Sequence, residues 1–235
     1  AADPVSRVSS LTSRVDALTD DHRLDEAMEA AQEALRAMAA VRDPTAEAGL
    51  LCSRRSIEYR LGVADAIDAD LPDIVGRTGV REMEAPAALT EAAVAWRLGN
   101  PGVARRFAAR AARLWTELGM PHIAVLPRAL LIANSPDAGE AEVLDLAAKC
   151  ASCPLPGVVV QTLGLLAIAR PDLGSALVIP DAVLKALPRR TWGVRREVLS
   201  VTEALNRRVE RKDGDGSASE ARDLHREAGA DGLRP

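Results

Sequence analysis

Apolar side chains recur at three- and four-residue spacing through most of the chain. Val5, Val8, Leu11, Val15 and Leu18 set the pattern at the start. Spacing of that kind gathers apolar groups on one side of a helix with about 3.6 residues per turn. The same periodicity predicts helices over 45–61 and 83–98, over "PHIAVLPRALLIAN" and "PGVVVQTLGLLAIAR", and over roughly 191–211. The two quoted stretches are almost entirely apolar, as expected of helices covered on two sides or lying in a subunit interface. Stop signals separate these segments: Gly99-Asn100-Pro101, Gly119-Met120-Pro121, Arg170-Pro171-Asp172 and Gly214-Asp215-Gly216.

Between the apolar helices a second pattern recurs: a turn, a small or acidic pair, then alanine. "RLDEA" ends at Ala27, "GVADA" at Ala66, "NPGVA" at Ala104, "DAGEA" at Ala141, "DLGSA" at Ala176 and "SASEA" at Ala221, at intervals of 39, 38, 37, 35 and 45 residues. A near-constant period is the mark of a repeated supersecondary unit. Each mark is expected to open a helix, with Asp25, Asp137 and Asp172 placed to cap or begin one. Ala27 and Ala34, Ala104 and Ala111, Ala141 and Ala148, and Ala221 and Ala228 are each seven apart. Seven residues is two turns, so both members of a pair face the same way, and a methyl there lets two backbones approach closely. The chain therefore divides into about six units, approximately 4–40, 45–80, 83–118, 121–152, 155–187 and 190–230.

Composition agrees. Hydrophobic residues make up 48% and aromatics 2% of the 235 residues, so alanine, leucine and valine must fill the core. Alanine and leucine favour helix, and β-branched or aromatic runs are scarce. A net charge of −4 is too small to mark a bulk nucleic-acid or membrane binder, and no apolar run is long enough to span a bilayer. Cys52, Cys150 and Cys153 are too few for a disulfide framework, which makes a reducing cytoplasm the expected setting. The Ala/Arg-rich vocabulary is typical of high-GC bacterial proteins. "AADPVSRVSS" lacks the pattern of a secretory signal and an initiating methionine, and reads as the start of a processed or excised chain.

The units resemble the tetratricopeptide repeat. "GNPGVARRFAARA" carries its turn glycine, Gly99, and its paired small residues, Ala104 and Ala111. "RLDEAMEAAQEAL" carries Leu24, Ala27 and Ala34, and "SEARDLHREAGA" is similar. The chain departs from that pattern where aliphatics replace most first-helix aromatics, where Asp73 stands seven after Ala66, and where Pro180 interrupts the unit at Ala176. The resemblance implies an all-α, right-handed superhelical solenoid of five or six stacked hairpins. It also implies a protein-interaction scaffold, or the sensing segment of a larger bacterial regulator, whose effector module lies elsewhere.

In such a solenoid the first helices line a concave groove suited to a peptide or partner protein. By helical phase Arg55, Glu58, Tyr59, Trp96, Arg97 and Gln161 project there, although Tyr59 and Trp96 equally suit packing positions. The alternative site is basic. Residues 189–212 hold eight basic and three acidic side chains, including Arg189, Arg190, Arg195, Arg196, Arg207 and Arg208. That face suits phosphates or an acidic partner, but only Trp192 is there to stack on a base, and Arg–Glu pairing on a solvated helix would explain it as well.

Catalytic chemistry is unsupported. "CASC" at 150–153 has half the ligands of a zinc site and closes a helix before Pro154, so two small buried residues are expected. His22, His122 and His225 are scattered, no nucleophile elbow or phosphate-binding loop occurs, and no pair of carboxylates stands out. The expectation is a non-enzymatic chain with no cofactor and no metal.

Overall fold

A computed structural model of the chain describes residues 3–21, 23–135, 137–170, 172–173 and 177. Among these residues the protein is all-helical and contains no strand. The helices run α1 (Pro4–Asp20), α2 (Leu24–Met38), α3 (Pro44–Arg60), α4 (Leu71–Gly76), α5 (Arg81–Arg97), α6 (Pro101–Glu117), α7 (Val125–Ala133), α8 (Glu140–Ala151) and α9 (Pro156–Ala169).

Local chemistry sets the helix ends. Pro4, Pro44 and Pro101 occupy first-turn positions whose N–H would have no helical partner. Asp3, Asp43 and Asn100 precede them, and each side chain accepts a backbone N–H of the first turn. α3, α5 and α6 all end in Leu-Gly. Gly62, Gly99 and Gly119 adopt φ of 75°, 73° and 73°, a left-handed conformation that glycine reaches without a Cβ clash. Asp25 lies in the first turn of α2, whereas Gly139 precedes α8 and Asp172 pairs with Arg170 beyond α9.

Packing follows chain order. Each helix packs on the next, and α1, α3, α5, α7 and α9 also pack on one another in succession. Two helices are covered on most sides: α5 buries Ala85, Ala87, Ala88, Ala92, Val94, Ala95 and Trp96, and α9 buries Val159, Val160, Leu163, Leu166 and Ala167. α2 and α6 are amphipathic and bury one side only. On that side Ala27, Ala34, Ala104 and Ala111 are completely inaccessible to solvent. Ala104 and Ala108 meet Ala92, Ala95, Trp96, Phe107 and Leu130 in one cluster, so the methyl face of α6 lies against α5 and α7.

Two recurring marks behave differently from expectation. Ala66 opens no helix. It is exposed within 61–70, and the second helix of that unit is only the six residues of α4. Ala141 begins α8 as expected, but it and Ala148 are exposed, and α8 buries Val143, Leu146 and Cys150 instead. The fifth unit is described only as far as 177, and the expected helix at 191–211 and the sixth unit lie outside the described residues.

Enlarging a buried methyl in so close a contact forces the helices apart. Ala104→Leu and Ala111→Leu should each destabilise the fold by about 1–3 kcal/mol. Ala141→Leu and Ala148→Leu should stay within about 0.5 kcal/mol of the parent, as exposed changes do. Urea unfolding midpoints of the four variants check both halves of this expectation.

Candidate functional site

The polar centre of the described fold is built on Arg55 of α3 and Glu91 of α5. Glu91 is fully buried and Arg55 is 7% exposed. Arg55 Nε donates to Glu91 Oε1 at 2.6 Å and its Nη2 to Oε2 at 3.2 Å. Nη1 reaches Glu58 Oε2 at 2.9 Å, and Nη2 also donates to the Ala66 carbonyl. Glu91 Oε2 in turn accepts the Asp68 N–H at 2.8 Å. Burial works against the Arg55 charge. The hydrogen bonds and ion pairs to Glu91 and Glu58 outweigh it and hold the guanidinium above its ordinary pKa.

Six residues further along α5, Arg97 Nη1 donates to the Tyr59 carbonyl at 2.8 Å and Nη2 to the Ala64 carbonyl at 2.6 Å. Its guanidinium lies 5.1 Å from the Tyr59 ring centroid, close enough for cation–π attraction. Arg55, Glu91 and Arg97 thus take up backbone groups of 61–70 that no helix satisfies. This segment replaces the first part of a full-length second helix, and the polar side chains tie it down.

Of the proposed groove residues, Arg55, Glu58, Tyr59 and Arg97 come together here, and their polar groups engage one another and the backbone. Trp96 is 6% exposed and packs with Phe107 and Leu130. Gln161 is exposed on α9 and takes no part in the network. Arg189, Arg190, Arg195, Arg196, Arg207 and Arg208 lie outside the described residues.

Glu91 is the residue that sequence reasoning missed, because a glutamate between Thr90 and Ala92 in "LTEAAVAW" looks like a solvated position. The available signal was spacing. Glu91 follows Arg55 by 36 residues, Glu117 follows Arg81 by 36, and Arg110 follows Asp73 by 37, and each of these is an ion pair. Arg110 also pairs with Glu84, at 2.7 Å, so it joins α6 to both α4 and α5.

The cysteines form no disulfide among the described residues. The Cys150 thiol lies 3.7 Å from the Val159 carbonyl and the Cys153 thiol 3.9 Å from that of Leu155. Burial pushes the Cys150 thiol up to about 11, and burial together with the Glu91 charge does the same for Cys52. Among the described residues no three His, Cys, Asp or Glu side chains gather as a metal site. An open depression of about 300 Å³ is lined by Arg14, Glu29, Gln32, Glu33 and Arg36. Its charges are mixed, and Glu33 already pairs with Arg7 at 2.9 Å.

Removing one partner from the buried pair should be costly. Glu91→Ala should lose about 3–5 kcal/mol, because it strands a buried guanidinium. Glu33→Ala, which breaks the exposed pair to Arg7, should lose less than about 1 kcal/mol. Denaturant titrations of the two variants provide the comparison.

The thiols give a second check. With a pKa of about 11, roughly a thousandth of Cys52 and Cys150 is ionised at pH 8. Alkylation of both should therefore be slow in the native protein and fast after denaturation, as read by mass spectrometry. The unfolded thiols release protons first as pH rises, so their contribution to stability is present below the ordinary thiol value and declines as pH climbs toward 11.

No family model matches the chain, and no curated protein or solved structure matches it either.

Proposed function

We propose that the chain is a solenoid of tetratricopeptide-like helical hairpins that binds a peptide or partner protein along its first helices. The observation that carries this reading is recurrence in three dimensions. Helices pack in chain order, and contacts between neighbouring units join residues 36 or 37 apart at several independent places. A closed bundle would bring the ends of the chain together, whereas nearest-neighbour packing builds a row whose first helices share one continuous side. Such a side offers length rather than a deep cavity, which suits an extended ligand. Among the described residues, no helix is long and apolar enough to cross a membrane.

The positions that suit ligand contact are those not committed to packing. On the row of first helices Gln161 is exposed, and Arg54, paired to Glu58 at 3.1 Å, keeps 37% of its side chain accessible. Arg55 and Arg97 act behind this surface by holding 61–70 in place.

Site-specific photocrosslinking in living cells separates the readings. A photoreactive amino acid at Arg54 or Gln161 should give a discrete protein adduct, whereas the same group at Glu29 of α2 or Arg105 of α6 should give none. Adducts only from α2 and α6 would sink the first-helix surface. Adducts that vanish on nuclease treatment, and that need Arg195, Arg196, Arg207 and Arg208, would move the function to the basic 189–212 face.

A further inference from the structure

The first helices end at equivalent places. Arg60 and Arg97 are the last residues of α3 and α5, and Asn134 and Arg170 immediately follow α7 and α9. The intervals are 37, 37 and 36 residues. At three of the four positions the side chain is an arginine that reaches back to a backbone carbonyl of the preceding unit. Arg60 Nη1 lies 3.5 Å from the Thr19 carbonyl at the end of α1. Arg97 donates to Tyr59, at the end of α3, and to Ala64 beyond it. Arg170 Nη1 donates to the Ala138 carbonyl at 2.8 Å. Ala138 stands 74 residues after Ala64, which is two periods, so Arg97 and Arg170 hold equivalent carbonyls.

The fourth position breaks the series. Asn134 donates its side-chain amide to the Leu130 carbonyl at 2.7 Å, within its own helix. The group equivalent to the Tyr59 carbonyl is that of Trp96. Both accept a glycine N–H in the same turn geometry, from Gly62 and Gly99 respectively. Asn134 does not extend to it. Among the described residues, the joint between the third unit (α5, α6) and the fourth (α7, α8) shows apolar packing in place of such a latch: Leu130 packs with Trp96, Phe107, Ala104 and Ala108.

These two kinds of joint resist different motions. A guanidinium bonded to a carbonyl fixes direction as well as distance, because its hydrogen bonds weaken steeply when bent. Apolar contact resists separation, but it is non-directional and lets packed helices slide or rock. We propose that the α6–α7 joint is the hinge between two parts of the described structure, with arginine latches making α1–α6 one body and α7–α9 another. The hinge would let the ligand-binding row change its curvature, and it rests on the solenoid reading given above.

Distance measurements between spin labels test both ideas separately. Labels are carried on unnatural amino acids in the full chain, leaving the three native cysteines in place. One pair, at Glu29 and Arg113, lies within the first body, and a second, at Glu29 and Asp145, spans the joint. The spanning pair should show a distance distribution about twice as broad as the internal pair, as rocking of one body against another requires. Arg97→Met should broaden the internal pair, because it removes a latch. Asn134→Arg should narrow the spanning pair; if that variant does not fold, Arg97→Met decides the role of the latches. Equal widths for the two pairs in the parent chain would overturn the hinge. A mean separation for the spanning pair no longer than for the internal pair would overturn the solenoid instead.

Discussion

A helix whose inner face is alanine gains little from burial unless a neighbour comes close. A methyl offers only a fraction of the apolar area of leucine, so its contribution depends on dense contact with whatever lies opposite. α2 and α6 present such faces, and their partners fill the shallow relief with leucine, valine and, against α6, Trp96 of α5 and Leu130 of α7. Close approach is therefore the constraint on which the arrangement depends. It favours helices laid side by side in chain order, and it explains how a chain with 2% aromatics holds a core.

Close approach also limits how polar groups are handled. Where the second helix of a unit shortens to α4, residues 61–70 lie outside any helix, and the backbone groups of Ala64, Ala66 and Asp68 face the side chains of α3 and α5. Burying such groups without partners would cost more than the helix saved. Arg55, Glu91 and Arg97 answer this with charge-assisted bonds to Ala66, Asp68, Tyr59 and Ala64. The irregular unit thus has the most elaborate polar interior of the described structure. Arg110 belongs to the same adjustment: Asp73 stands where an alanine would complete the small-residue pair, and it is an exposed partner for that guanidinium.

Side chains that look free in one dimension are frequently committed in three. Arg55, Glu58, Tyr59 and Arg97 share one side of their helices, which makes them plausible contacts for a ligand when only helical phase is considered. The fold uses them to connect units. In the reading proposed above, a surface for partners would come from the residues left over.

What the linear order of residues determined is the helical class, the ends of the first helices and the approximate period. All three follow from local physics: 3.6-residue spacing, proline and Asx caps, left-handed glycines, and small residues placed two turns apart. The first-helix boundaries expected at 45–61, 83–98 and 156–170 differ from α3, α5 and α9 by at most two residues, whereas the helix expected from Pro121 begins only at Val125. Tertiary structure alone decided that Ala66 would sit in a loop, that Ala141 and Ala148 would face solvent, and that Glu91 would be buried. The burial of Glu91 depends on Arg55, 36 residues before it. No local propensity contains that information, because the free energy of a buried charge or an alanine contact is set by the partner it meets.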